Sequence, residues 1–325
     1  MIPLSNFKNF SEAGQAVLKF LSQAVPFQLW MITRTEGSDW IILQTENNGY
    51  KVAPGDILAW GDSYCFRMIE QGAPKIAPVA HDIALYKNAP INRSLDIQSY
   101  IGQPIVQKDG ALFGTLCAID PQIQSEDITK LGDLIELLGK LLSSILQAEL
   151  SEQEQIRQAE RLELDASTDH LTGLFNRRAW DKLTALEDVR CTQYGNISAA
   201  LIIDLNDLKI INDQHGHSAG DALIKQTALI LKNAIGAQDV LARLGGDEFG
   251  IILVESNQKH CDQFIQDIKI RLKEANISAS IGVCIKHVSQ SLSQAITTAD
   301  HDMYANKKAF KQQKSHHGNL YYFNK

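Results

Sequence analysis

The chain has no CxxC pair, no apolar run long enough to cross a bilayer and no excess of positive charge, and each lack removes a class of protein. Its five cysteines, Cys65, Cys117, Cys191, Cys261 and Cys284, are scattered and odd in number. That argues against a disulfide framework and a structural zinc site, and suits a reducing cytoplasm. The most apolar helical segment, Leu134 to Leu146, is broken by Glu136, Lys140, Ser143 and Ser144, so it falls short of the ~18 apolar residues of a membrane span. No membrane partner is expected. With Lys plus Arg at 31 against Asp plus Glu at 38, the net charge of −7 offers no basic face for nucleic acid. Anionic ligands must be met locally, by a metal and a few lysines. The opening Met1 to Lys8 lacks the basic-then-apolar order of a secretory signal, which predicts a cytoplasmic protein.

What the chain does hold is the stretch Ala242 to Gly250, reading Ala-Arg-Leu-Gly-Gly-Asp-Glu-Phe-Gly. Val240 to Leu244 and Phe249 to Val254 read as strands, and the glycine pair as the tight turn between them. Gly245 and Gly246 remove Cβ bulk where a phosphate can approach the backbone, and Asp247 and Glu248 set oxygen ligands for a hard cation beside that space. By itself the pattern also fits an ordinary acidic hairpin tip, so the surrounding chain has to decide.

At 325 residues, two domains are expected. In the first, Ala13 to Val25 reads as a helix, and Phe27 to Thr33 and Trp40 to Thr45 as paired strands. Trp60 to Glu70 reads as a loop entering a short helix, and Lys75 to Val79 as an edge strand. Ser99 to Gln107 and Ala111 to Ile119 flank Asp109-Gly110, a strong hairpin signal. The expected fold is a mostly antiparallel sheet with helices on one side. The residues Tyr100-Ile-Gly-Gln-Pro-Ile and Asp109-Gly-Ala-Leu-Phe-Gly-Thr-Leu-Cys-Ala-Ile-Asp120 resemble the closing hairpin of GAF sensory domains. That resemblance implies a small-molecule effector held between the sheet and the loops of residues 55 to 98. Trp60, Tyr64, Phe66 and Tyr86 read either as the lining of such a pocket or, the commoner case, as core. Cys65 and Cys117 read as buried inert thiols, or else as a sensor thiol or chromophore anchor. The Cys-His pair of bilin-binding members is absent, since Phe66 and Ala118 follow them.

Between Glu126 and Ala166 the pattern becomes one long helix. Leu134, Leu138, Leu141, Ile145, Ala148, Glu152, Gln155, Ala159, Leu162 and Ala166 recur at alternating steps of four and three, the spacing of a coiled-coil seam. A homodimer through these linker helices and the first domain is expected. The domain boundaries read as 1–150, a linker at 151–167, and a second domain at 168–325.

The second domain reads as a helix after Asn176, the apolar strand Ser198 to Asp204, a helical turn through Asp213, and a helix opened by Gly216 to Asp221 that ends near Gly236. After the glycine hairpin come a helix at Lys259 to Ala275, a strand at Ile277 to Ile285, a helix at Leu292 to Ala309 and a strand at Leu320 to Phe323. The fold class is α/β (α+β), a sandwich of helices on a mostly antiparallel sheet. Its motifs are Asp-x-Leu-Thr-Gly-Leu-x-Asn-Arg-Arg, Asp-Leu-Asn-Asp-Leu-Lys-Ile-Ile-Asn-Asp, Gly-His-x-x-Gly-Asp, Gly-Gly-Asp-Glu-Phe, Ser-Ile-Gly-Val and Ala-Asp-x-x-Met-Tyr. In this order they resemble the GGDEF family of diguanylate cyclases, with a palm-like fold that condenses two GTP into cyclic di-GMP.

Attack of a ribose 3′-hydroxyl on an α-phosphate needs cations, and Asp204 at a strand end and Asp247 at the hairpin are the carboxylates placed to hold them. The resemblance implies that Asp204, the Leu205 carbonyl, Asp247 and Glu248 bind Mg²⁺ or Mn²⁺, two per GTP site, with Asp247 also taking a proton. It implies that Asn212 and Asp221 read guanine and that Lys209, Lys307 and Lys311 meet the phosphates. Many members carry an Arg-x-x-Asp product-inhibition site, but here that window is Gly236-Ala-Gln-Asp239, so weak or absent inhibition through it is expected. The alternative is a catalytically inactive receptor for GTP or cyclic di-GMP.

Overall fold

The computed structural model describes residues 7–25, 27–163, 167–286 and 290–320. The chain divides into two compact units, residues 1–156 and 157–325.

In the first unit α1 (Phe10–Ala24) begins at Asn9, whose side chain accepts from Glu12 N–H and so satisfies one orphan donor of the first turn. Then follow β1 (Leu29–Glu36), β2 (Asp39–Asn47), β3 (Ile57–Ala59), α2 (Tyr64–Gln71), β4 (Ile76–Ala77), α3 (Ala84–Lys87), β5 (Ser99–Val106) and β6 (Leu112–Asp120). The sheet runs β3-β2-β1-β6-β5-β4 and every pair is antiparallel. The β5–β6 hairpin turns at Gly110 with φ +84°, a conformation only glycine adopts without strain.

Helices cover both faces of this sheet, where the sequence suggested one. The reason lies in β1, where Leu29, Trp30, Met31 and Ile32 are all buried, the signature of a strand with no solvated face. Leu29 and Met31 join the core under α2 and the loops, while Trp30 and Ile32 join the core under α1 and the next helix, α4 (Gly132–Glu163). Trp60, Tyr64 and Tyr86 are core residues: Tyr64 stacks on Tyr86 at 4.5 Å, and Tyr100 packs edge-on to both. Phe66 is half-buried against Trp60. These rings fill the space between sheet and loops.

The first half of α4 buries Ile135, Leu142 and Leu146 against its own sheet. The coiled-coil seam therefore divides: Leu138 and Ile145 pack partly inward, whereas Leu141 and Leu162 are exposed at 51% and 71%. Ala166 lies outside the described residues. A helix read from spacing alone shows two overlapping apolar stripes here, and packing selects the one nearer Ile135.

The second unit contains α5 (Arg177–Tyr194), β7 (Ser198–Leu205), α6 (Leu208–His215), α7 (His217–Lys232), β8 (Val240–Arg243), β9 (Glu248–Leu253), α8 (Gln258–Glu274), β10 (Ala279–Lys286) and α9 (Leu292–Leu320). Its antiparallel sheet runs β10-β7-β9-β8. Leu201, Ile203, Phe249 and Ile251 face α7 and α8, whereas Ala200, Ile202 and Ile252 face α5 and α9, giving the expected sandwich. The strand expected from Leu320 is not borne out at that residue, which ends α9; residues 321–323 lie outside the described residues. No described helix is long and apolar enough to cross a membrane.

Candidate active site

After Ser198 the strand β7 is apolar from Ala199 to Ile203, so its first charged side chain, Asp204, emerges where the strand ends. Asp204 pairs across β7–β9 with Glu248, and directly paired residues point to the same face, here the face covered by α9. The next residue fixes the hairpin to this end: Leu205 N–H donates to the Asp247 carbonyl at 3.0 Å. Register thus brings Asp204, Asp247 and Glu248 together.

The glycine turn is held by a residue to which the sequence reading gave no role. Arg243 Nε donates to Gly245 O at 3.1 Å and its Nη2 to Gly246 O at 2.7 Å, while Nη1 lies 3.1 Å from Asp169 Oδ1. Asp169 also accepts from the Thr172 backbone and hydroxyl. Burial alone would raise the Asp169 carboxyl, but the bonds from Thr172 and Arg243 outweigh it and hold it below the usual range. Gly245 and Gly246 keep negative φ; a Cβ at Gly246 would meet nothing within 4 Å and one at Gly245 only Glu248 Oε2 at 3.4 Å, so the space above Gly246 is open. Asn206 was also missed. It is buried and tied to β10 through the Ser278 and Ser280 hydroxyls, which steadies the chain just past Asp204.

Two other motifs explain how α9 reaches the site. A Cβ at Gly282 would lie 2.0 Å from Ala299 O and 2.1 Å from Met303 N, so only glycine lets α9 rest on β10. Asp302 accepts from Val283 N–H at 3.0 Å, and the Asn306 amide donates to Ile281 O at 2.9 Å. So seated, α9 places Lys307 Nζ 2.6 Å from Asp204 Oδ1. Burial and the charge on Asp247 push the Asp204 carboxyl up, against the opposing pull of Lys307 and Lys311. Glu248 is likewise raised, by burial and then by Asp204, Asp247 and Asp300. Asp300, exposed on α9 in a motif that the sequence supplied without a role, thus acts on Glu248 through its charge.

Among the described residues no three His, Cys, Asp or Glu side chains already converge at metal-ligand distances. The donor set nevertheless fits a hard divalent cation: its carboxylates repel one another, and a lysine ammonium already sits on the most buried of them.

On the other arm of the site, α6 and α7 meet at Asn212 and Gly220. A Cβ on Gly220 would fall 2.0 Å from Asn212 Oδ1, and that oxygen is buried with no hydrogen-bond partner among the described residues. Asp221 follows Gly220 directly. Lys209 stands exposed on the first turn of α6 and has no ion-pair partner among the described residues, so the structure does not bring it to the carboxylates as it does Lys307. Lys311, one turn beyond Lys307, acts on Asp204 through its charge.

The loop Gly236 to Asp239 is hydrogen-bonded within itself and to Val254 and Arg161. Asp239 Oδ2 accepts from Gly236 N–H at 2.7 Å and Oδ1 from Val254 N–H at 2.9 Å. Arg161, from the end of α4, donates to the carbonyls of Ala237, Gln238 and Asp239.

A family model described as "Diguanylate cyclase, GGDEF domain" matches residues 166–313. Diguanylate cyclase DgcP of Escherichia coli (strain K12) is 34% identical over 184 residues, 56% of this chain and 52% of that protein. Cyclic di-GMP phosphodiesterase PdeR of the same organism is 32% identical over 163 residues, 47% of this chain and 24% of its own length. The chain thus spans about half the length of DgcP and less of PdeR. The GGDEF domain of DgcB from Caulobacter crescentus, solved in complex with c-di-GMP, is 25% identical, covering 45% of this chain and 89% of that one at a TM-score of 0.43. Residues 166–313 therefore belong to the GGDEF domain family of diguanylate cyclases.

Proposed function

We propose that this chain is a diguanylate cyclase that condenses two GTP into cyclic di-GMP with release of two pyrophosphates, governed by a GAF-type first unit. The observation that carries the reading is the convergence of Asp204, Asp247 and Glu248 with Lys307 at one end of the β7–β9 pair, while α6 and α7, which follow β7 directly, present Asn212 and Asp221.

Asp221 accepts from guanine N1–H and the 2-amino group, and the Asn212 amide donates to O6 or N3. Adenine has no N1 proton, which leaves Asp221 unpaired at a cost of ~1–3 kcal/mol and favours GTP over ATP. Gly245 and Gly246 leave the turn open to phosphate oxygens, and Lys209, Lys307 and Lys311 supply positive charge along the triphosphate. Asp204, the Leu205 carbonyl, Asp247 and Glu248 would hold Mg²⁺ or Mn²⁺, two per GTP, which when bound neutralise the triphosphate and acidify the 3′-hydroxyl. Asp247 accepts the proton that the attacking hydroxyl loses.

One domain holds one GTP, so each 3′-hydroxyl must meet the α-phosphate held by a second copy. Pairing through α4 raises the local concentration of the two halves, and the exposed Leu137, Leu141 and Leu162 support such pairing. A small-molecule effector of the first unit has to displace the buried rings of Tyr64, Tyr86 and Tyr100. Incubating the full chain with GTP or ATP and Mg²⁺ and resolving the products by chromatography tests the reading. Cyclic di-GMP from GTP alone is expected, and intact GTP would overturn it in favour of a nucleotide receptor.

A further inference from the structure

The first unit holds a buried sulfur centre that the cyclase reading does not use. Cys65 is the second residue of α2, whose N-cap Ser63 accepts from Phe66 N–H, and Cys117 lies on β6; both are essentially fully buried. Thr115, two residues before Cys117 and so on the same face of β6, places its Oγ1 3.2 Å from Cys65 Sγ and 3.6 Å from Cys117 Sγ. One hydroxyl therefore reaches both sulfurs.

Two hydroxyl donors converge on Cys65. Tyr100 Oη lies 3.3 Å from its sulfur, and Thr115 Oγ1 donates from the strand at 3.2 Å. Behind Thr115 the chain of donors continues: the Trp40 indole N–H, which can only donate, reaches Thr33 Oγ1 at 3.0 Å, and Thr33 Oγ1 lies 2.8 Å from Thr115 Oγ1. A neutral thiol is a weak acceptor, so two hydroxyl donors on one sulfur suit a thiolate, and the N-terminal turn of α2 favours negative charge there. Burial pushes Cys65 up, yet the bonds from Cys117, Thr115 and Tyr100 hold it below the ordinary thiol value. Burial and the donation to Cys65 push Cys117 well above it. The two sulfurs are chemically unequal, one nucleophile and one proton carrier.

We propose that Cys65 and Cys117 form a dithiol–disulfide couple that makes the first unit a site of oxidation by peroxide. The Cys65 thiolate attacks a peroxide oxygen, the S–O bond forms as O–O breaks, and the departing hydroxide takes up the Cys65 proton as water. Cys117 then attacks the sulfenic sulfur, S–S forms as S–O breaks, and hydroxide leaves with the Cys117 proton as a second water. Two thiols are oxidised and one hydrogen peroxide is reduced to two waters. Peroxide is nearly as small as water and needs only local opening of the eight-residue α2 to reach the sulfur.

The test uses reduced full-length protein exposed to hydrogen peroxide, quenched in acid, alkylated in denaturant and mapped by mass spectrometry. The expected result is a Cys65–Cys117 linked peptide that appears before oxidation of Cys191 or Cys261, both pushed up to about 11 by burial, and that dithiothreitol removes. Tyr100→Phe and Thr115→Val keep both thiols and nearly all the packing, and each should slow the disulfide about tenfold by removing one donor. Recovery of Cys65 and Cys117 as free thiols after the half-buried Cys284 has been oxidised overturns the proposal, as does disulfide formation at an unchanged rate in both variants.

Discussion

Replacing Gly220 with alanine separates binding from stability at this site. The added Cβ would lie 2.0 Å from Asn212 Oδ1, 2.8 Å from Cγ and 3.2 Å from Nδ2, all atoms of one flexible side chain. Asn212 must swing away, at a rotamer cost of about 0.5–1.5 kcal/mol, while alanine in the interior of α7 recovers about 1 kcal/mol of helix propensity. The two nearly cancel, so the melting temperature should stay within a few degrees of the parent. The Asn212 amide, which we propose reads guanine, is by contrast lost from its place. A hydrogen bond to a buried partner contributes ~1–3 kcal/mol, so the affinity for GTP should fall roughly 5- to 150-fold. Steady-state kinetics with GTP, alongside differential scanning calorimetry of the same sample, measures both. An unchanged KM with an unchanged melting temperature refutes the role of Asn212, and a collapse of the melting temperature refutes the claim that its side chain yields.

Gly282→Ala meets backbone instead, at Ala299 O and Met303 N, so overpacking of about 1–3 kcal/mol or more is expected with loss of turnover, read by thermal unfolding and product formation. Glu248→Gln should kill turnover yet raise the melting temperature of metal-free protein at pH 7. The folded state holds the Glu248 carboxyl above its ordinary value, so its contribution is full below the unfolded pKa of ~4.3 and is lost as pH rises through the raised one. Melting curves at pH 4 and pH 7 check this, since the gain should vanish at the lower pH. Glu187 lies between Arg157 at 3.1 Å and Arg190 at 3.3 Å with all three buried, but Arg157 also pairs with Glu255 and Arg190 with Glu160, so Glu187→Gln should cost about 1–3 kcal/mol in chemical denaturation. Cyclic di-GMP titrated calorimetrically into the full chain should show no submicromolar site at Gly236 to Asp239, because both Asp239 oxygens already accept, one from Gly236 in the loop and one from Val254 just past β9.

Much of this protein is written in short-range pattern. Strand and helix positions in both units follow from apolar periodicity, and the hairpins at Gly110 and at Gly245-Gly246 follow from turn residues. The carboxylates at Asp204, Asp247 and Glu248 announce their chemistry by residue type and by standing where strands end. Asn212 and Asp221 stand out because their motifs keep fixed local spacing, and the structure sets Asn212 against Gly220, beside Asp221. Lys307 was legible as a charge, but its place on Asp204 depends on α9 resting against Gly282.

What the chain order could not decide are meetings between residues distant in sequence. Arg243 gained its role from Asp169, Asn206 from Ser278 and Ser280, and the inward stripe of α4 from the sheet it covers. The cysteines make the same point: read along the chain they are odd in number and scattered, and only the packing of α2 on β6 sets Cys65 and Cys117 around one threonine hydroxyl. Local sequence fixes which groups can bind, ionise or react. Strand register and helix packing fix which of them come within a few ångströms, and hydrogen bonding and charge act only over such distances.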